Sequence, residues 1–439
     1  MKKMQSKGYS TVLGFFAVVC FSLVSVFAFG AAGDLDPSFG LGPIGGLVVE
    51  HYPGPGSTQG FDALIQSSGK IVVAGEYRPG VGNQIALARF DSAGVLDTTF
   101  GTAGWTIVNF GYPTIEAFAA AEQSDGKIVV TGELDDGGQN TANSEHFYVA
   151  RFTANGQVDT KFGKKGITVI DFGADSQSLD VAIAADGKIV IAGLVLKLNA
   201  DYDLALARVD NKGKIDKTFG TSGIVKTDFN GFSDFGFAVA IQPDQKILVS
   251  GTGGITASNG AVGLARYTIT GQLDSSFGNG GKVTTDFGTS NNDFGNEVIL
   301  QPDGKIVVGG TAQTDSPRFM FVRYNTDGTI NLSHVEDLDE SFEEAFGLAI
   351  ATNGRIILGG RVEPTALGDP LFAVSCFDGA TGSLDTSFGS FGWAITDFIP
   401  DSGISKVRLQ SDNKIVAVGY STQADGFDLT LARYFGCGQ

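Results

Sequence analysis

The chain has 439 residues and a formal charge of −18, with only 18% of residues charged. Such an acidic chain lacks the basic footprint that nucleic acid or an anionic lipid surface requires, which excludes both as partners. Gly is abundant at 63 residues, and Phe at 34 far outnumbers Met at 3 and Trp at 2, a composition of short strands and tight turns rather than helices.

The first element is the segment 1–30. Lys2, Lys3 and Lys7 precede an apolar run over 12–29, and Ala28 and Gly30 place small residues before Ala31. This pattern predicts a secretory signal peptide cut after Gly30. The alternative is an uncleaved anchor, since 18 apolar residues just span a bilayer. The repeat motif begins as early as Leu35, which favours cleavage. Removing the three lysines takes the charge from −18 to −21. The expected locations are secreted, periplasmic or cell surface, with no membrane contact after cleavage.

From residue 31 onward one pattern recurs. LQPDGKIVVGG at 300–310 has a near-copy, EQSDGKIVVTG, at 122–132. Seven copies align on a basic residue: Lys70, Lys127, Lys188, Lys246, Lys305, Arg355 and Lys414. Five residues after each stands a Gly, in seven of seven copies. Each unit carries four strand-like runs of 5–7 residues. They resemble, in order, GKVTTDF (281–287), NEVILQ (296–301), KIVVGG (305–310) and FMFVRY (319–324), rich in Val, Ile, Phe and Ala. The second and third are nearly all apolar, as expected for strands covered on both faces. The DG of PDGKI predicts a tight hairpin with Gly at positive φ. Asn413 suits that position, and Gln245 fits it least. A longer loop holding an LDxSFG-like motif links the fourth run to the next first run. It begins at Leu35, Leu96, Val158, Ile215, Leu273 and Leu384, and is lost from the sixth unit.

Four antiparallel strands repeated seven times predict an all-β, seven-bladed β-propeller over 31–439, a single domain. The chain starts with a first run (46–52) and ends with a fourth (429–434), so the N-terminal strand is expected to complete the last blade. A monomer is expected. LDSSFGNGGKVTTDF, VILQPDGKIVVGG and FVRYNTDG resemble the delta-60 repeat, a bacterial family of roughly 60-residue repeats, over essentially all of 31–439. The resemblance implies a propeller with no established activity. Unit six departs from it by losing LDxSFG and by placing Cys376 where other units have Arg89, Arg151, Arg208, Arg266, Arg323 and Arg433. Beyond the signal, Cys376 and Cys437 match no metal spacing and are too few for a disulfide scaffold. A single bridge between neighbouring blades is open to them in an oxidising compartment if the geometry allows. The recurrent Arg invites pairing with the Asp of LDxSFG. However, Arg323 persists where the motif is lost, and Asp385 persists beside Cys376, so no such pair is assigned.

In a meander, alternate connections share a side of the ring. DGK and LDxSFG therefore occupy one face, and the loops that vary between blades occupy the other. Repetition serves structure, while variation serves a specific ligand, so the variable face is the better candidate site. It is acidic. Asp135, Asp136, Asp201 and Asp203 are candidate ligand-binding residues there. Asp171, Asp175, Asp286 and Asp293 are candidate metal ligands, with Ca²⁺ the cation that such oxygens would hold. The other reading of these residues is turn capping and solubility, since no D-x-[DN]-x-[DN]-G loop is present. Eight residues before each anchor stand Asp62, Ala119, Asp180, Ala238, Glu297, Gly347 and Lys406, on the strand expected to border the channel. Asp62, Asp180 and Glu297 are candidates to bind a ligand there, or else to meet only channel water. Catalytic patterns are absent: no HExxH, GxSxG, CxxC or GxxxxGK[ST], and only three His (His51, His146, His334). No cofactor is expected beyond that Ca²⁺. The expected function is a non-catalytic binding propeller with a protein or glycan ligand. The alternative is a metal-dependent hydrolase or lactonase-type enzyme at the channel mouth.

Overall fold

The computed structural model describes residues 30–438, apart from 43, 139–143, 198–200, 257–258, 289–291, 338–341, 364–368, 399–400 and 424–425. The signal segment expected at 1–30 lies outside the described residues except for Gly30. Among the described residues no helix is long and apolar enough to cross a membrane.

Seven sheets form the blades of a β-propeller. Blades 1 to 6 cover 57–108, 114–170, 176–227, 235–285, 294–336 and 342–396. Blade 7 joins 402–434 to 47–50. Within each blade the run before the anchor is innermost, and the first run of the next unit is the outermost strand. The innermost strands touch one another in a closed circle, from Ser57–Ile65 through to Ser402–Leu409 and back. Closure is as expected: Leu47–Glu50 pairs antiparallel with Gly426–Tyr434, Leu47 opposite Ala432.

The core lies between blades. Seven apolar clusters fill the seven junctions, each drawn mainly from two adjacent sheets. This is why the second and third runs read as continuous apolar sequence: seven of the eight residues in Ile71–Arg78 are buried. Two blades depart from the common form. Blade 2 splits its inner strand into Thr114–Ile115 and Ala119–Glu122. Blade 5, lacking the LDxSFG loop, turns directly from Tyr324 to Ile330 and has a seven-residue outermost strand, Ile330–Glu336.

In six of the seven blades the recurrent Arg joins its blade to the next, and in five of these it pairs with the Asp that sequence reading left unassigned. The Nε atoms of Arg89, Arg151, Arg208 and Arg266 donate to Asp97, Asp159, Asp216 and Asp274 at 2.8–3.0 Å. The Nη1 atoms donate to backbone carbonyls of the following blade, at Ala154, Asn211, Ile269 and Thr326. The guanidinium lies 4.4–4.7 Å over Phe100, Phe162, Phe219 and Phe277, the Phe of each LDxSFG motif. Arg433 closes the circle: it pairs with Asp36 at 2.7 Å, lies over Phe39 and donates to Ser92 O of blade 1. Arg323, whose motif is missing, uses Asn331 Oδ1 at 2.7 Å and Gly379 O. The anchors reinforce the same carboxylates: Lys70, Lys188, Lys246, Arg355 and Lys414 reach Asp97, Asp216, Asp274, Asp385 and Asp36. At the sixth position Cys376 is bonded to Cys437.

The hairpin turns have the expected chirality. The residue before each anchor has positive φ in all seven units, including Asn413 at 61° and Gln245 at 68°. A side chain at such a φ costs roughly 1–2 kcal/mol, partly offset by the flexibility of an unfolded Gly. Gln245→Gly is therefore expected to stabilise the protein by about 0.5–1 kcal/mol in chemical denaturation. Destabilisation would show that the Gln side chain makes a compensating contact.

Candidate functional site

The innermost strands border the axis. In six blades a bulge falls just before the position eight residues ahead of the anchor, as between Gly60 and Asp62, Ser178 and Asp180, and Ile404 and Lys406. A bulge leaves one residue unpaired and re-aims its neighbours. Two of the three channel candidates use it to join blades. Asp62 accepts from Ala63 N at 2.7 Å and, across the junction, from Ala120 N at 2.9 Å. Asp180 accepts from Val181 N at 2.8 Å and from Val239 N of blade 4 at 2.7 Å. Blade 7 supplies cations. Arg408 pairs with Asp62 at 2.8 Å and approaches Glu297 at 3.6 Å, while Lys406 pairs with Glu297. Asp62, Glu297, Lys406 and Arg408 therefore form one mixed-charge group across the axis, close enough to Asp180 for each to act on its charge. Burial and the neighbouring Glu297 push the Asp180 carboxyl up to about 7 against the pull of Lys406. Lys406 is driven the other way: burial favours the neutral amine, but Glu297 and Asp62 outweigh it and hold the charge.

In four of the six bulges the unpaired residue is aromatic or aliphatic, Phe61, Leu179, Phe237 and Phe346, with Phe118 at the break in blade 2, while blades 5 and 7 place Asn296 and Ser405 there. The five apolar residues are half-buried. Phe61 meets Phe118 at 5.2 Å, Phe237 meets Phe294 at 6.2 Å, and Arg361 lies 5.9 Å over Phe346. The signal was legible as an aromatic nine residues before four of the seven anchors, and it was missed.

Beside this collar, blades 1 to 3 crowd carboxylates. Asn83 Nδ2 bridges Glu76 and Glu116, and Gln177 Nε2 holds Glu133. Asp135 stands directly opposite Glu145 in the strand pair. Asp175 accepts from Ser144 N at 2.9 Å and Glu145 N at 3.2 Å. Burial raises the Glu133 carboxyl, and Glu116, Glu145 and Asp135 raise it further. Burial likewise raises Glu145, with Asp175 and Asp135 adding to it. Burial also lifts Glu76 to about 7, with Glu116 adding to the rise and Arg78 opposing it.

The remaining candidates are spread around the same face. Asp136 is buried with His146 Nε2 3.6 Å away. Asp201 accepts from Ser233 Oγ at 3.4 Å. Asp171 and Asp286 are exposed and cap their own turns at Gly173 N and Gly288 N. Asp293 is fully buried, clasping Phe287 N and Gln313 N at 3.0 and 2.9 Å. Among the described residues, the one set of three acidic or His ligands close enough for a metal is Asp203, Asp228 and Asp234, within 4.8 Å. It draws in Asp203 but none of Asp171, Asp175, Asp286 and Asp293. Lys197 stands among its carboxylates, 2.9 Å from Asp203 and 4.0 Å from Asp228. The three His each lie beside a carboxylate, Asp428, Asp136 and Glu336, in blades 7, 2 and 5, so they do not converge.

Six segments, 66–100, 123–162, 184–219, 242–277, 301–333 and 410–436, match a family described as a domain of unknown function (DUF5122) β-propeller. The repeat is thus a β-propeller repeat. The matched segments hold the anchor turn and the Arg strand, the first four also the LDxSFG-like motif, and they skip 334–409, where Cys376 replaces Arg. No curated protein matches the chain. Among solved structures, the periplasmic gluconolactonase of Pseudomonas aeruginosa is 15% identical, with 83% of this chain and 96% of that one covered and a TM-score of 0.50. A Dyadobacter fermentans protein of unknown function is 12% identical, with 88% and 97% covered and a TM-score of 0.46. At 15% identity the likeness to the gluconolactonase is one of fold alone.

The titrations predict a stability optimum. Burial alone would raise Asp36, Asp216 and Asp274. Hydrogen bonds from Ser38, Thr218 and Ser276 and the facing cations instead lower them from 3.8 to about 2. Their stabilisation is present above about 4 and lost as pH falls through 2. Asp180 and Glu76 rise to about 7. Asp234, pushed up by burial, rises to about 6. Their stabilisation is complete below about 4 and lost as pH rises through 6–7. Melting temperature should therefore peak near pH 4 and fall on both sides, toward pH 2 and toward pH 7. A steady rise from pH 5 to pH 8 would contradict these assignments.

Proposed function

We propose that the protein is an exported, non-catalytic binding propeller of the delta-60 type, whose protein or glycan ligand lies on the acidic variable face over the channel mouth. The observation that carries this reading is the crowding of Glu133, Asp135, Glu145 and Asp175, where the charges raising Glu133 and Glu145 are other carboxylates. Like charges directly opposite on paired strands, as at Asp135 and Glu145, are destabilising. On the repeated face carboxylates of the clasps meet Arg or Lys, so the ring itself does not need this crowding. The half-buried rings of Phe61 and Phe118 beside it offer apolar area to a ligand with polar groups. At the axis Asp62 and Glu297 already have Arg408 and Lys406 as partners.

One observation favours a metal-dependent hydrolase or lactonase-type enzyme, namely the trio Asp203, Asp228 and Asp234. Lys197 within it supports the binding reading, because an ammonium and a divalent cation compete for the same oxygens. A Ca²⁺ role for Asp171, Asp175, Asp286 and Asp293 would need ligands from separate turns. Export to the periplasm, cell surface or medium is supported by the charge and apolar pattern of 1–30 and by the Cys376–Cys437 pair. The proposed state is a monomer.

The test is a glycan and peptide array probed with the protein and with a Glu133→Gln, Asp135→Asn, Glu145→Gln variant. The expected result is at least tenfold weaker binding with a melting temperature equal to or above that of the parent at pH 8. A Ca²⁺-dependent rise in melting temperature, together with EDTA-sensitive hydrolysis of a sugar lactone, would replace the binding reading with the enzyme one.

A further inference from the structure

One junction of the ring is built differently from the other six. In blades 1 to 5 the strand that carries the Arg runs through an unbroken turn, and the preceding blade docks on that turn. Gly101 N, Gly163 N, Gly220 N and Gly278 N donate to Asn155, Lys212, Thr270 and Asp327, each three residues past the end of the next blade's strand. The Arg Nη1 bonds fall one residue earlier, at Ala154, Asn211, Ile269 and Thr326. In blade 7 this turn is assembled from two segments far apart in the sequence. Its first half is the tail after Tyr434 and its second half is 31–34, sewn together by Gly33 N to Phe435 O and Phe435 N to Asp34 O, at 3.0 and 2.9 Å. Blade 6 docks on both halves, Gly389 N on Ala32 O at 2.7 Å and Asn353 Nδ2 on Cys437 O at 3.0 Å. At this interrupted turn, and at no other junction, the Arg is absent. Cys376 takes its place, and its partner Cys437 is three residues past Tyr434, next to the position where the other junctions have the acceptor carbonyl.

We propose that Cys376–Cys437 is a redox-addressed lock on ring closure. Oxidised, it holds the tail of the closing blade to blade 6. Reduced, neither thiol can reproduce the ion pair and hydrogen bonds of the missing Arg, and the tail opens first, with strand Gly426–Tyr434 behind it. That strand pairs with Ile415–Gln423, which in turn holds the innermost strand bearing Lys406 and Arg408, so the seam leads to the channel. The reductant is a dithiol. One of its thiolates attacks a sulfur of the bond to give a mixed disulfide, and its second thiol closes on the first. Two electrons and two protons pass to the protein, which leaves with two cysteine thiols. The sulfurs lie in residues 0% and 1% exposed, so attack follows local opening of the tail.

The experiment is hydrogen exchange and thermal melting of the full chain with and without dithiothreitol at pH 8, with thiols counted by alkylation and mass spectrometry. The expected result on reduction is a melting temperature lower by about 3–8 °C and at least tenfold faster exchange in 426–434. Exchange in Ile247–Thr256 of blade 4 should stay unchanged. Cys376→Ser with Cys437→Ser should reproduce the reduced state without reductant. Cys376→Arg with Cys437→Ser should regain part of the loss and ignore dithiothreitol. Unchanged melting and exchange in the double-serine variant would overturn the proposal. Equal acceleration in every blade, or an arginine variant no better than serine, would do the same.

Discussion

Apart from the charged group at the axis, a propeller blade packs against its two neighbours, so the ring stands or falls on its seven junctions. At five of them one guanidinium does three things: it neutralises a carboxylate, lies over a buried Phe and satisfies a carbonyl of the next blade, while at a sixth Arg323 uses the amide oxygen of Asn331 and two carbonyls of the next blade. Arg is suited to this because its planar fork donates in several directions and stacks on a ring, which the Lys ammonium cannot do. Removing one partner of such a pair strands a charge in a site where the Arg and Asp side chains are about 5% and 10% exposed. The clasp therefore explains why Arg, Asp and Phe recur together and why the anchors are basic.

The clasps all lie on one face, and this leaves the other free to vary. There the strands end in carboxylates that neighbouring carboxylates raise, beside aromatic rings lifted from the sheet by bulges. The channel beneath is closed electrostatically by Lys406 and Arg408 from blade 7 alone, on carboxylates supplied by blades 1 and 5. The crowded carboxylates and the half-buried rings are thus placed where the structural repeat makes least demand. Blade 7, which combines Leu47–Glu50 with 402–434, carries the cations that complete the axis.

Much of the ring was legible in the sequence because it depends on local pattern. The Gly five after each anchor, the apolar runs and the DG turns each report one strand or one hairpin. The Arg–Asp pair was legible and yet misjudged, because the whole LDxSFG motif was taken as the unit. Asn331, eight residues after Arg323, fills the Asp position without the rest of the motif. Cys376 likewise marked the disulfide once the carbonyl-linking role of Arg was known. The candidate site was less legible. Asp62, Asp180 and Glu297 were found by register, but Arg408 and Lys197 reach their partners across distances set by ring closure and loop geometry rather than by a spacing. Asp203 meets Asp228 and Asp234 because its strand ends beside the connection from Thr227 to Phe235, a loop geometry that no spacing reports.

The account rests most directly on the Arg clasp, and Arg208 tests it best because its junction lies far from the closing seam. Chemical denaturation of Arg208→Met should show a loss of about 3–5 kcal/mol, with Arg208→Lys recovering little of it. A loss below about 1 kcal/mol, the range of an exposed ion pair, would mean that apolar packing alone holds the blades together.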